Sequence, residues 1–189
     1  PGDRVLTTPL SAFATSLAIS RAGGVPVFVD VDARGNLDLA LARGRLERDR
    51  SIRFLVPVHL YGRPLDLDEL GRIRGDLGVT VVEDCAQSIG ATWNGRATGT
   101  IGSIAATSFY PTKNLGAVGD GGALLTADEE IAAVARSLRQ YGQEGTYHHV
   151  RLGMNSRLDE VHAALLGDVL LPRLEAWTAC WHRVATRYL

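Results

Sequence analysis

The chain has 189 residues, 46 % of them apolar and 22 % charged, an ordinary globular composition that excludes an intrinsically disordered polymer. Twenty Lys plus Arg stand against 21 Asp plus Glu, a net charge of −1, so no general basic field is available to hold nucleic acid. No apolar run approaches the ~20 residues of a membrane-spanning helix, and the two cysteines, Cys85 and Cys180, make neither a zinc motif nor a disulfide framework, which suits a reducing, cytoplasmic compartment.

The apolar pattern alternates short β-type runs with helical ones. Val5 and Leu6 sit in a first strand closed by Thr7-Thr8-Pro9, and Ser11 is placed to cap a helix reaching Ala22 and stopped by Gly23-Gly24. A strand over 25–30 tolerates Pro26 near its start, and a helix over 38–48 is weakened by Gly44. Residues 52–58 read as a buried strand. The next helix opens with Asp66 and Glu69 at capping-box spacing and buries Leu67, Leu70, Ile73 and Leu77. Residues 79–82 form a further strand, and Asn94-Gly95 predicts a hairpin over 92–96 with a type I′ turn.

Strands over 104–109 and 123–126 flank a Gly-rich stretch, 116–122. Thr126 with Glu129 caps a helix whose inner face is Ile131, Val134, Leu138 and Tyr141. A polar loop over 142–156 leads to two helical runs separated by Pro172. In the second run Leu174, Trp177, Trp181, Val184 and Tyr188 make one apolar stripe of core type. The chain opens on Pro1 rather than Met and stops at Leu189 within a helical pattern, so it reads as a fragment, and the lack of a signal peptide carries no information.

This alternation predicts an α/β fold, a mainly parallel sheet flanked by helices. Ligands of such sheets sit beyond the carboxyl ends of the strands. There the sequence puts Thr8 and Ser11, His59, residues 84–88 and residues 108–114. Adjacent Glu83 and Asp84 are either a solvated strand exit or a carboxylate aimed into the crevice. Lys113 is either a solvated loop charge or a partly desolvated nucleophile beside small residues that let backbone approach a ligand. His59 either orders the crevice or acts directly. His148-His149 point in different directions and lack a third ligand, so no metal is expected. Cys85 has no base partner and reads as packing, and Gly119-Asp120-Gly121 falls short of a dinucleotide fingerprint.

Six stretches occur in order: P-G-D-R-V at the start, P-V-F-V-D-V-D at 26–32, P-V-H-L-Y-G at 57–62, E-D-C-A-Q-S-I-G-A at 83–91, S-F-Y-P-T-K-N-L-G-A-V-G-D-G-G-A at 108–123 and N-S-R-L-D-E at 155–160. Together they resemble the DegT/DnrJ/EryC1/StrS sugar aminotransferase family, within the fold-type I pyridoxal-phosphate (PLP) enzymes. The resemblance covers essentially the whole chain. It implies an aspartate aminotransferase-like large domain over 1–171, with its N-terminal segment missing, and 172–189 as the start of the helix leading to an absent C-terminal small domain. It also implies a PLP-dependent aminotransferase that moves an amino group from an amino acid, glutamate above all, to a nucleotide-linked keto-sugar. The expected assembly is a homodimer with shared active sites, with no nucleic-acid or membrane partner.

The same resemblance assigns residues. Lys113 falls where the family's lysine bonds PLP covalently and moves a proton between substrate carbon and cofactor. Asp84 falls at the pyridine nitrogen, whose protonation makes PLP an electron sink. Gln87 matches a contact to the ring and its phenolic oxygen, Ser108 a phosphate contact, and Asn155 a contact to the neighbouring subunit's cofactor phosphate. Asn155 has a second reading as the cap of the helix that follows. The family's stacking aromatic falls at Ala12, with Phe13 beside it, so either Phe13 takes over the stacking or the contact is lost. His162 stands where Gln is common. The family's phosphate-binding turn would precede Pro1 and its small domain would follow Leu189, so the chain alone is expected to be inactive. Two alternatives stay open. One is a PLP-dependent sugar dehydratase, whose relatives carry His where this chain has Lys113; the other is a non-catalytic binding or scaffold protein that kept the fold.

Overall fold

The computed structural model describes residues 1–188; the expected helical end at Leu189 lies outside the described residues. The chain groups into two compact units, Pro1–Thr107 and Ser108–Leu189. In chain order the first holds β1 (Arg4–Thr7), α1 (Phe13–Arg21), β2 (Val25–Phe28), α2 (Leu39–Arg48), β3 (Ile52–Leu55), a 3-10 turn (Leu60–Gly62), α3 (Leu67–Leu77), β4 (Thr80–Asp84), the hairpin β5 (Thr92–Trp93) and β6 (Arg96–Ala97), and all but the last residue of β7 (Ile104–Ser108).

Four of its strands and β7 pair in parallel in the order β2-β1-β3-β4-β7. Register decides which side chains share a face. Leu6 lies beside Leu55 and Leu55 beside Val81, and these three pack with Ala42 and Leu46 of α2 and Leu67, Leu70 and Ile73 of α3 into the buried core. Full burial of each Leu or Ile contributes about 1.5–3 kcal/mol. Val5, Phe54, Val82 and Asp84 face the other way and, with Thr15, Ala18 and Ile19 of α1, line an open cavity of about 480 Å³.

The parallel sheet and its flanking helices agree with the sequence, and so do two local signals, Asp66 at the start of α3 and the Asn94-Gly95 turn. Asp38 accepts from Ala40 N and Leu41 N, and Asp66 from Asp68 N and Glu69 N, so both helices start where a carboxylate can satisfy free amides. Asn94 (φ 48°) and Gly95 (φ 79°) both lie in the left-handed region, as a type I′ turn requires. Other expectations change. Residue 12, an alanine, occupies the N-cap of α1, and Ser11 Oγ instead bonds Thr15 Oγ1 at 2.8 Å. Glu69 completes no capping box, because its carboxylate is taken by Arg43 and Arg72. β3 stops at Leu55 rather than 58; Pro57 has no N–H for a continuing ladder. β2 ends at Phe28, level with the end of β1 at Thr7.

The second unit holds β8 (Gly122–Leu125), α4 (Glu129–Leu138), α5 (Glu160–Ala164), a π-helical turn (Leu165–Leu170), a 3-10 turn (Leu171–Arg173) and α6 (Leu174–Ala185). Asp128, not Thr126, caps α4 by accepting from Glu130 N and Ile131 N, while Thr126 Oγ1 accepts from Asp128 N one step earlier. The expected inner face of α4 is not buried: Val134 and Leu138 are exposed, and Tyr141 lies past the helix at φ 59°. Of the expected stripe only Leu174 is buried and Trp177 half-buried, whereas Trp181 and Val184 on α6 and Tyr188 beyond its end are exposed. Pro172 breaks the helical pattern as expected, through the 3-10 turn. Among the described residues no helix is long and apolar enough to cross a membrane.

Candidate active site

Strand alternation separates the adjacent carboxylates 83 and 84. Successive side chains of β4 point to opposite faces, so Glu83 enters the protein interior and Asp84 faces the α1 side. Asp84 is the last residue of β4, level with Ala106 of β7. Its backbone is fixed on both sides, with Asp84 N donating to Pro57 O at 2.9 Å and Asp84 O accepting from His59 N at 3.1 Å. Its side chain is held at both oxygens: Oδ2 accepts from Thr15 Oγ1 at 2.7 Å and Oδ1 from Ala86 N at 3.1 Å.

Gln87 follows in the turn after β4. Its Oε1 accepts from Tyr61 N at 2.8 Å, and Tyr61 reaches that point through a left-handed conformation (φ 56°). With the carbonyl end turned to Tyr61, the amide's N–H₂ end is the one left to donate elsewhere. Phe13 opens α1 and is 76 % exposed. It does not line the cavity that Thr15 and Asp84 share.

Glu83 and His59 are completely buried and bonded at 2.9 Å. His59 Nδ1 accepts from Leu65 N at 3.1 Å, so the ring's other nitrogen carries the proton and donates it to Glu83 Oε2. Gly99 N donates to the same oxygen, and Ile101 N and Gly102 N donate to Oε1. Burial pushes the Glu83 carboxyl up, but the donors from His59, Gly102 and Gly99 outweigh it and hold it below the usual carboxylate range. Cys85 completes a cluster whose ligand atoms lie within 4.8 Å of one another. The His and Glu atoms are already spent on hydrogen bonds, and burial, with the Glu83 charge, pushes the Cys85 thiol up to about 12. That chemistry is structural rather than metal-binding or nucleophilic. His59 therefore orders the crevice.

Ser108, Lys113 and Asn155 lie in the second unit. Ser108 ends β7, and its Oγ accepts from Tyr110 N at 3.2 Å, leaving its own proton to donate. The segment after it folds on itself. Lys113 N donates to Tyr110 O, Ala117 N to Phe109 O and Phe109 N to Gly121 O, while Leu115 and Ala117 are buried as anchors. A Cβ on Gly116 would stand 2.5 Å from Pro111 O, so only glycine lets this loop close. Lys113 is half-buried within it, and its ammonium has no hydrogen-bond or ion-pair partner among the described residues.

The stretch over 142–156 is an organised excursion rather than an open loop. Isolated antiparallel bridges join Gln140 to Asn155 and Gln143 to His149. Gly142 (φ 73°) is packed so tightly against Arg151 that a side chain there has no room. His149 Nδ1 donates to Tyr141 O at 3.1 Å, which removes that nitrogen from any pair with His148. Asn155 Oδ1 accepts from Arg157 Nε at 3.0 Å. Asn155 does not cap the next helix: Asp159 does, accepting from His162 N.

A sequence model of the DegT/DnrJ/EryC1/StrS aminotransferase family matches residues 1–189. The chain belongs to this family. It is 45 % identical to the pleiotropic regulatory protein of Geobacillus stearothermophilus, over 100 % of this chain and 50 % of that protein. It is 41 % identical to UDP-2-acetamido-2-deoxy-3-oxo-D-glucuronate aminotransferase of Pseudomonas aeruginosa, over 100 % of this chain and 52 % of the relative. Among solved structures, Streptomyces venezuelae DesV in complex with a ketimine intermediate matches with a TM-score of 0.94 at 43 % identity, again over 100 % of this chain and 50 % of that one. The chain thus spans about half the length of the curated relatives it matches.

For this DegT-family chain, sequence reasoning named Asp84 and Lys113 but passed over Thr15 and gave Glu83 no role of its own. The signal for Thr15 is a hydroxyl in the first turn of α1, four residues after Ser11 and on the strand-end side where the polar residues gather. The signal for Glu83 was the strand period, which turns it away from its neighbour.

Proposed function

We propose that the intact protein is a PLP-dependent aminotransferase that takes an amino group from an amino acid, glutamate first among candidates, and gives it to a nucleotide-linked keto-sugar. Family membership and the substrate in the name of the Pseudomonas relative support that class of reaction and acceptor. The observation that carries the reading is Lys113, a half-buried amine without a hydrogen-bond or ion-pair partner among the described residues, in a closed loop five residues after Ser108.

The groups present fit PLP residue by residue: a carboxylate held at two points, an amide turned to donate, a hydroxyl that accepts from Tyr110 N and keeps its own proton to donate, and an amine unpaired among the described residues. When bound, PLP supplies an electron sink that stabilises negative charge on the carbon beside the transferred nitrogen. Asp84 would hold the proton of the ring nitrogen. The Gln87 amide would donate to the phenolic oxygen, and the Ser108 hydroxyl to the phosphate. Lys113 Nζ would attach the cofactor and serve as the base that moves a proton. Phe13 is proposed to cover one face of the ring in place of the aromatic missing at Ala12. Asn155 is proposed to serve the phosphate site of a second copy, in a cytoplasmic homodimer. Residues 1–171 are proposed as the PLP-binding large domain and 172–189 as the start of the helix leading out of it.

The test has two arms on the intact protein. Borohydride reduction with PLP, followed by peptide mapping, should leave the modification on Lys113. Incubation with glutamate and a panel of nucleotide-linked keto-sugars should release 2-oxoglutarate. Cofactor on a different lysine, or no turnover with any amino donor, would reject the reading.

A further inference from the structure

In the first unit a line of polar groups runs from the start of α1 to the end of β4. Ser11 Oγ and Thr15 Oγ1 are 2.8 Å apart, and Thr15 Oγ1 donates to Asp84 Oδ2 at 2.7 Å. The direction of the chain follows from proton counting. A threonine hydroxyl has one proton, and Asp84 takes it, so Ser11 must donate to Thr15 and not the reverse. Thr15 is only 5 % exposed.

An aspartate carboxyl turns about its last torsion in a broad, two-fold well, and one donor does not fix its plane. Here each oxygen has its own donor, Thr15 for Oδ2 and the backbone of Ala86 for Oδ1. The Ala86 contact comes from the turn and is present for any residue there. The Thr15 contact crosses 69 positions of sequence and depends on one hydroxyl.

We infer that Thr15, itself supported by Ser11, is a positioning residue that locks the Asp84 carboxylate in the one orientation that meets the pyridine nitrogen of PLP. The inference rests on the reading of Asp84 proposed above. Without the Thr15 hydroxyl the carboxylate keeps its place on β4 but loses its fixed plane. The lone pair facing the ring nitrogen is then present only part of the time, and the ring proton is held less firmly.

Thr15→Val tests this well, because valine keeps the shape of threonine and removes only the hydroxyl. In the intact protein we expect Thr15→Val to raise the dissociation constant for PLP about tenfold. We expect it also to move the pH midpoint of the bound cofactor's visible absorbance by about half a unit or more. Ser11→Ala should move both in the same direction by less, and Thr15→Ser should keep the parent's values. The melting temperature of the apoprotein should stay near the parent's in all three. If Thr15→Val matches the parent while Asp84→Asn moves both quantities, Thr15 is only a packing residue and the inference is overturned. If Asp84→Asn moves neither, the reading of Asp84 itself fails, and the role of Thr15 falls with it. Should Thr15→Val not fold, Ser11→Ala decides, and a parent-like spectrum and affinity there would overturn the chain of donors.

Discussion

His59 donates its Nε2 proton to Glu83 Oε2 across 2.9 Å, with neither side chain reaching solvent. The pair joins three pieces of backbone at the carboxyl end of the sheet. His59 receives Leu65 N, while Glu83 receives the amides of Gly99, Ile101 and Gly102. Asp84 is the next residue, and its backbone is bonded to both Pro57 and His59. The buried carboxylate thus holds the frame from which its neighbour reaches the opposite face.

Glu83→Gln should therefore destabilise the protein by about 2–4 kcal/mol. Glutamine keeps the shape, but its N–H₂ end would meet two donors, and His59 cannot change tautomer without abandoning Leu65 N. Urea denaturation measures the loss. The pH dependence has a defined sign. The folded Glu83 carboxyl is held below its ordinary value of 4.5, so its contribution is complete above that value and is lost as pH falls through the lower folded value. Across that acid range the parent should lose more stability than Glu83→Gln. Equal slopes would show that folding does not lower the Glu83 carboxyl below its ordinary value.

The Cys85 thiol, pushed up to about 12 by burial and the adjoining Glu83 charge, should resist alkylation in the folded protein at pH 8. Iodoacetamide followed by peptide mapping should find Cys85 unmodified in buffer and modified in denaturant. Rapid labelling without denaturant would mean that the end of β4 opens readily.

The parallel frame was legible because each strand and helix carries its own period, and the Asp66 and Asn94-Gly95 signals act within a few residues. The failures were of two kinds. Where two cap-forming residues stand close together, as Thr126 and Asp128 do, the sequence does not say which meets the free amides. Ser11 reads as a cap because Thr15, which its hydroxyl meets instead, is itself recognisable only once Asp84 is placed beside it. The apolar stripes on α4 and α6 obey the helical period, yet Val134, Leu138, Trp181 and Val184 are exposed. Periodicity reports which residues share a face, not what covers that face. At the candidate site, residue types were readable from the motifs, whereas the two-point hold on Asp84 and the turned amide of Gln87 depend on contacts that no local pattern encodes.

Gly116→Ala should disable the loop that presents Lys113 while sparing most of the fold. The new Cβ would lie 2.5 Å from Pro111 O, a clash with backbone that only a loop rearrangement relieves. Misplacement of the amine by even 1 Å should slow turnover on the order of a hundredfold. Borohydride trapping at Lys113 should fall in parallel, with the melting temperature little changed. Unaltered trapping would show that the close approach at Gly116 does not position the lysine.

The last prediction concerns Asn155 and assembly. Among the described residues its side chain makes one hydrogen bond, accepting from Arg157 at 3.0 Å, and Asp159 caps the helix that follows, so capping does not explain its presence. The adjoining excursion is costly to build. Tyr141 and Tyr147 both adopt left-handed conformations, and Gly142 is pressed against Arg151. An amide at the base of such a segment suits a ligand outside its own chain, and a phosphate with close to two negative charges needs many donors. Mixed dimers of the intact protein test the idea. Lys113→Ala and Asn155→Ala chains should each be nearly inactive alone. If Asn155 acts in the partner's site, their heterodimer has one site with both lesions and one with neither, and activity should return to about half of the parent's. If Asn155 acts within its own chain, each site carries one lesion and activity stays at the level of the single variants. That second outcome, in a mixture shown to contain heterodimer, would reject the shared site.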